Sequence, residues 1–166
     1  MLRSRPPTRF LRRRRRGATA IEAALTLSLL VTLVLGMLDL GLWVARQQML
    51  AHAARQVARQ AVVHGKLADK LGTWGPTTIT TNAVAPNPVN PNDATSVIRQ
   101  TASASLADWN RSQVTVKVEW PDGGNDPRLE HRVRVTVSGP YHPIMTFIFG
   151  NPAYTLAAGS TMQIAH

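Results

Sequence analysis

The chain has 166 residues, a formal net charge of +10 and no cysteine. That length allows one domain with a modest core, and the missing cysteine excludes a disulfide framework and any thiolate zinc site. Eight of the nineteen basic residues lie in the first sixteen positions, where there is no acid, and from Ala18 onward eleven basic residues face nine acidic ones. The basicity belongs to a tail, so it does not mark the body as a nucleic-acid binder.

The tail closes on five consecutive arginines, Arg12, Arg13, Arg14, Arg15 and Arg16, followed by Gly17. From Ala23 to Ala45 there are then 23 residues with one charge, Asp39. A hydrocarbon core of about 30 Å needs roughly 20 helical residues, so this segment is long enough to span a bilayer. A core helix of a soluble protein would carry a polar stripe, whereas Thr26, Ser28 and Thr32 are few, small and scattered. The arginine block on one side, against Arg46 alone close by on the other, predicts a cytoplasmic N-terminus and export of everything after Trp43. A secretory signal has an apolar stretch of about 7–15 residues and a small-residue cleavage site. This segment is longer and lacks such a site, and the arginines lack the surroundings of a twin-arginine signal.

Helical patterning continues past the apolar stretch. Arg46 to Gly65 contains no proline and no glycine before Gly65. Met49, Ala53, Val57 and Ala61 recur at helical spacing, flanked by Gln48, Arg55, Gln56, Arg59 and Gln60. One helix over residues 18–64 would be roughly 70 Å long, its first half in lipid and its second packed in water.

"TNAVAPNPVNPND" (Thr81 to Asp93) reads as a loop. Asn92 or Asp93 then caps a helix reaching to about Trp109, with Val97, Ile98, Ala102, Leu106 and Trp109 on its apolar face. "SQVTVKVEW" alternates, with Val114, Val116, Val118 and Trp120 on one side; "PDGGNDP" is a dense turn. "RLEHRVRVTV" alternates again, with Leu129, His131, Val133, Val135 and Val137 inward, giving an antiparallel hairpin. Pro143 starts one helical turn, and a third strand runs through Tyr154, Leu156, Ala158, Ser160 and Met162. The expected fold class is α+β: a long N-terminal membrane-spanning helix continuing into a small periplasmic domain with an antiparallel β-sheet. The expected divisions are a basic cytoplasmic leader (1–17), a transmembrane helix (18–45), its amphipathic continuation (46–65) and an α+β domain (66–166).

Several stretches, in order, resemble the TadE-like family of bacterial pseudopilins of the tight-adherence (Flp) type IV pilus system. "RRGATAIEAAL" resembles the family's basic leader, glycine and apolar start with its acid. "LLVTLVLGMLDLG" resembles the leucine-rich segment ending in gly-x-x-acid-x-gly, and "AARQVARQA" the alanine–arginine helix after the membrane. "VTVSGPYHPIMTFIF" and "AAGSTM" resemble the closing strands and the aromatic-proline turn. Gln56-Val57 departs from the pattern, where the family more often has an acid and a glycine. The resemblance implies that a prepilin peptidase cuts between Gly17 and Ala18 on the cytoplasmic face, and that the product helps to assemble or prime an adhesive pilus. The implied partners are that peptidase, other pilins or pseudopilins of the same system and the bacterial inner membrane, with no nucleic acid and no cofactor.

On that reading Arg12–Arg16 hold the scissile bond at the anionic leaflet, each contributing on the order of 1 kcal/mol. Gly17 lets the backbone lie extended in a protease cleft. Cleavage would give Ala18 a free ammonium one turn before Glu22, on the same helix face. Glu22 then neutralises its own terminus or that of a neighbouring subunit; the blander reading is a carboxylate snorkelling to the interface. An unpaired charge at the bilayer centre costs about 2.5–3.5 kcal/mol, less near an edge, and such residues are usually functional. Asp39 fits an interfacial residue or an inter-subunit contact equally well.

No metal spacing connects His52, His64, His131, His142 and His166, and no nucleophile elbow, phosphate loop or carboxylate pair occurs. No catalytic, cofactor-binding or metal residue is assigned, and the chain is not read as an enzyme. The alternatives are an uncleaved single-pass scaffold anchored by the same helix, a secreted enzyme, and a nucleic-acid binder acting through the arginines.

Overall fold

The structure, a computed structural model, describes residues 14–66, 72–107, 109–145, 150 and 153–164. One helix, α1, runs without a break from Arg14 to Val62. Its 49 residues extend about 73 Å, and no proline lies among them to remove a hydrogen bond.

The two halves of α1 have different surroundings. Residues 17–34 are exposed all round; Leu29, in their middle, keeps 71% of its surface. The expected stripe through Met49, Ala53, Val57 and Ala61 is present in the second half, widened by Leu50, Ala54 and Ala58, which are fully buried. Spacings of three and four keep these residues on one face, and the alanines let the helix lie close to its neighbours.

Those neighbours are an antiparallel sheet and a second helix. The strands β1 (Ile79–Asn82), β2 (Thr115–Glu119), β3 (Arg132–Tyr141) and β4 (Tyr154–Gln163) lie side by side in chain order. Helix α2 (Ala94–Ser105) begins on Asp93, whose carboxylate accepts from the backbone N–H groups of Thr95 and Ser96. That cap satisfies two of the orphan donors of the first turn. The second half of α1 covers β3 and β4, with α2 beside it over β1 and β2. Val114, Val116 and Val118 meet Val133, Val135 and Val137 beneath these helices, all fully buried. The pairs Val116–Val137 and Val118–Val135 stand directly opposite in the register. Ile98 and Ala102 supply the inner face of α2, which stops at Ser105, short of the expected Trp109; Leu106, its C-cap, and Trp109 are buried beyond the helix end.

Three expectations about the strands also need correction. The sheet has four strands: β1 takes Thr81 and Asn82 out of the expected loop. β3 starts at Arg132, not at the arginine before Leu129, because Pro127–Leu129 forms a 3-10 turn. In that turn Asp126 accepts from the Arg128 N–H at 3.0 Å and the Leu129 N–H at 3.3 Å. Leu129, expected inward, is therefore 68% exposed: turn chemistry has overridden the alternation. Third, β3 runs on through Gly139 and Pro140 to Tyr141. β2 ends opposite Ser138, so only β4 flanks Pro140, an edge position where a missing N–H is tolerated.

At the end of the sheet near the 3-10 turn, Asp122 grips Arg132. Its carboxylate accepts from Arg132 Nη2 at 2.8 Å, Nε at 3.1 Å and the backbone N–H at 2.8 Å. The guanidinium hydrogen bond, followed by the backbone one, holds the Asp122 carboxyl down to about 2, from an ordinary 3.8. A depressed folded value means the stabilisation is complete above the unfolded value and disappears as pH falls through the folded one. Melts of the domain should therefore lose stability between about pH 4 and pH 2, and Arg132→Met should flatten that part of the profile.

Candidate functional site

Two stations along α1 carry the polar chemistry of its exposed half. The first is at its start. Arg14, Arg15 and Arg16 form the first turn of the helix, while Arg12 and Arg13 lie outside the described residues. Gly17 and Ala18 follow within α1, and the bond between them is helical. The first four N–H groups of a helix have no intrahelical partner, so unwinding through Ala18 disturbs only the first few helical bonds. A Cβ placed on Gly17 would meet nothing within 4 Å. Packing therefore does not call for glycine there, although glycine costs a helix about 1 kcal/mol relative to alanine.

Glu22 stands one turn after Ala18, exposed on the bare helix and on the same face. The neighbouring hydroxyls turn back onto the helix. Thr26 Oγ1 donates to the Glu22 carbonyl at 2.8 Å, Ser28 Oγ to Leu25 at 2.9 Å and Thr32 Oγ1 to Ser28 at 2.8 Å. These bonds spend the hydroxyl donors inside the helix, as a lipid-facing surface requires. The Glu22 carboxylate is the one acidic side chain on the helix before Asp39.

The second station is built on Asp39. Its Oδ1 accepts from the Ile144 backbone N–H at 2.7 Å and its Oδ2 from the Met145 N–H at 2.9 Å. The Tyr141 hydroxyl donates to the Asp39 carbonyl at 3.1 Å and reaches Oδ1 at 3.4 Å. Pro143 precedes a turn whose next two N–H groups need acceptors, and Asp39 supplies both from another element. Two turns further along α1, the Arg46 guanidinium lies 5.4 Å from the Tyr141 ring centre and 5.5 Å from that of Trp109, within cation–π range. Burial, followed by the charge of Asp39, raises the Tyr141 phenol above its ordinary value. Asp39 thus ties the β3–β4 hairpin to the helix. Its partners are more than 100 residues away, and nothing local in the sequence announces them.

Residues 17–59 match the TadE-like protein family. No curated protein and no solved structure matches the chain. The TadE-like segment includes both stations and most of the buried alanine stripe, and it starts at Gly17, leaving the arginine block outside. Among the described residues one helix, Gly17–Val62, is long and apolar enough to cross a membrane, and none of its most apolar stretch is buried against them. Among the described residues no group of three or more His, Asp or Glu side chains is placed to hold a metal ion.

Proposed function

We propose that the chain is a minor pseudopilin of the TadE-like type, cut between Gly17 and Ala18 by a prepilin peptidase and taking part in assembly of a tight-adherence (Flp) pilus. The observation that carries this reading is Glu22, an exposed carboxylate one turn after Ala18 on the apolar half of α1, which no described residue covers over positions 17–34. Cleavage turns Ala18 into a cation and gives Glu22 a reason to be there. The family match over residues 17–59 points to involvement in the same pilus system. Positive residues on the N-terminal side support a cytoplasmic N-terminus at a bacterial inner membrane and a periplasmic sheet domain.

Intact mass of the protein purified from membranes tests the cut. The expected chain lacks Met1–Gly17 and begins at Ala18; a chain that begins at Met1 would make the protein an uncleaved anchored scaffold. Gly17→Leu separates the peptidase from the fold. The open space around Gly17 predicts unchanged melting of the domain, whereas a bulky side chain before the bond should abolish release of the leader, as read on a gel.

A further inference from the structure

The β3–β4 hairpin and the apolar half of α1 meet at Asp39, and that meeting fixes where the bilayer must stop. Hydrocarbon does not tolerate exposed non-helical backbone, because its N–H and C=O groups find no partners there. The non-helical segment of residues 142–145 lies at the level of Asp39, tied to it by the Ile144 and Met145 N–H groups. The hydrocarbon therefore ends at or before that level. Counting back, Ala18 to Asp39 is 21 helical steps, or about 32 Å, and the hydrocarbon core is about 30 Å thick. The two constraints agree, which moves the outer edge of the span from Ala45 to Asp39.

The consequence is a surface. With the edge at Asp39, residues 142–145 and Tyr154 lie at the level of the lipid headgroups, and the side chains exposed there suit that place. Trp43 is 42% exposed, Tyr154 51% and Ile144 54%, and Tyr154 stands opposite Tyr141 in the last pair of β3 and β4. Aromatic side chains concentrate at this depth of a bilayer because an apolar ring and a polar edge are both accommodated. A groove of about 610 Å³ runs between helix and hairpin, from Thr32 and Gly36, within the span, up to Trp43 and Tyr154. Met145 closes it from the side, its sulfur reaching down to Gly36. The groove is continuous with the lipid-facing helix and dominated by apolar side chains.

We propose that the β3–β4 end of the domain is a membrane-docking surface, seated in the outer headgroup layer beside its own helix, with lipid acyl chains filling the groove below Trp43 and Tyr154. The inference rests on the membrane-spanning reading of α1 and goes beyond it, since an anchor alone would leave the domain free to stand clear of the bilayer. Asp39 is the positioning residue that holds the hairpin at this depth.

The absence of native cysteine allows single nitroxide labels on the full chain in phosphatidylethanolamine–phosphatidylglycerol vesicles. Four sites are compared: Leu29→Cys in mid-span, Ile144→Cys and Tyr154→Cys at the proposed surface, and Lys117→Cys on the outer face of β2. Collision with oxygen reports lipid, and collision with a water-soluble nickel chelate reports water. Labels at 144 and 154 should keep oxygen access while losing nickel access at least threefold relative to 117, with 29 more protected still. Nickel access at 144 and 154 equal to that at 117, with 29 protected, would overturn the docking and leave the span intact. Loss of both oxygen and nickel access would also overturn it, since protein, such as a second copy of the chain, would then cover the patch. Free nickel access at 29 would overturn the span itself and the docking with it.

Discussion

Replacing Glu22 by alanine should leave release of Met1–Gly17 largely intact and remove the protein from its assembly. The side chain is exposed and one turn beyond the bond proposed to be cut, so neither the fold nor release of the leader should depend on it. On the proposed cleavage the Ala18 ammonium would have this carboxylate at i+4 on its own helix, and a like carboxylate on any neighbouring copy. In lipid an unpaired ammonium is costly, and insertion scales place a charge at mid-membrane about 2.5–3.5 kcal/mol uphill, with less near an edge. Every helix arriving beside another must bring its terminus within reach of an acid. That requirement selects one axial stagger from the many that two smooth apolar rods would allow. The expected result is normal mature mass, normal membrane fractionation and at least a tenfold fall in co-purification with other pilus components. Glu22→Gln should behave like alanine, because an amide carries no charge. Glu22→Asp should recover part of the association, and full association of the alanine variant would sink the proposal.

The second large effect is expected inside the domain, at Ala54. It lies fully buried on the face of α1 that covers the core, where the helix is close to its neighbours because its stripe is built from alanine. Ala54→Leu inserts three carbons where there is no space, and overpacking of this kind costs typically 1–3 kcal/mol. For a domain of about 100 residues that lowers the melting temperature by roughly 10 °C. The apolar half of the helix makes no use of this contact, so the variant should still reach the membrane. Loss of the protein from membranes before any change in domain melting would show that the two halves are not separable. Protease sensitivity of membrane-bound protein distinguishes the outcomes: the variant should lose its domain while the anchor persists.

How far the fold was legible in the sequence depends on how local each cause is. The helix was readable over nearly its whole length because periodicity, the absence of proline and the apolar run are properties of neighbouring residues. The same holds for the helix cap, which the sequence narrowed to Asn92 or Asp93, and for the alternating valines of β2 and β3. β1 was not legible, since "ITTN" has no run of apolar residues. Of its two inward residues, Ile79 packs on the core but Thr81 is polar, and the Thr81 hydroxyl accepts from Arg99 Nε at 2.6 Å, so a hydrogen bond does the work expected of a valine. Leu129 was misplaced because an aspartate three residues earlier governs it more strongly than the strand pattern downstream. At the site, Gly17, Ala18 and Glu22 could be singled out from spacing and from the family resemblance. The role of Asp39 could not, since it depends on a turn 105 residues later arriving with two unpaired N–H groups.

The unbroken course of α1 fixes an angle as well as a length. Asp39 lies seventeen helical steps after Glu22, and at 3.6 residues per turn the two side chains leave the helix roughly 100° apart around its axis. The hairpin occupies the Asp39 side, so the azimuth of Glu22 is clear of the chain's own domain along the exposed half. A neighbour that engages Glu22 must approach from that open sector. Because the rod has no proline hinge in which to absorb a twist, the bearing of the domain in any assembly is set by where the neighbour's terminus sits. Insertion or deletion of a single residue between the two acids would rotate the domain by about 100°, and insertion of seven would restore the original bearing to within about 20°.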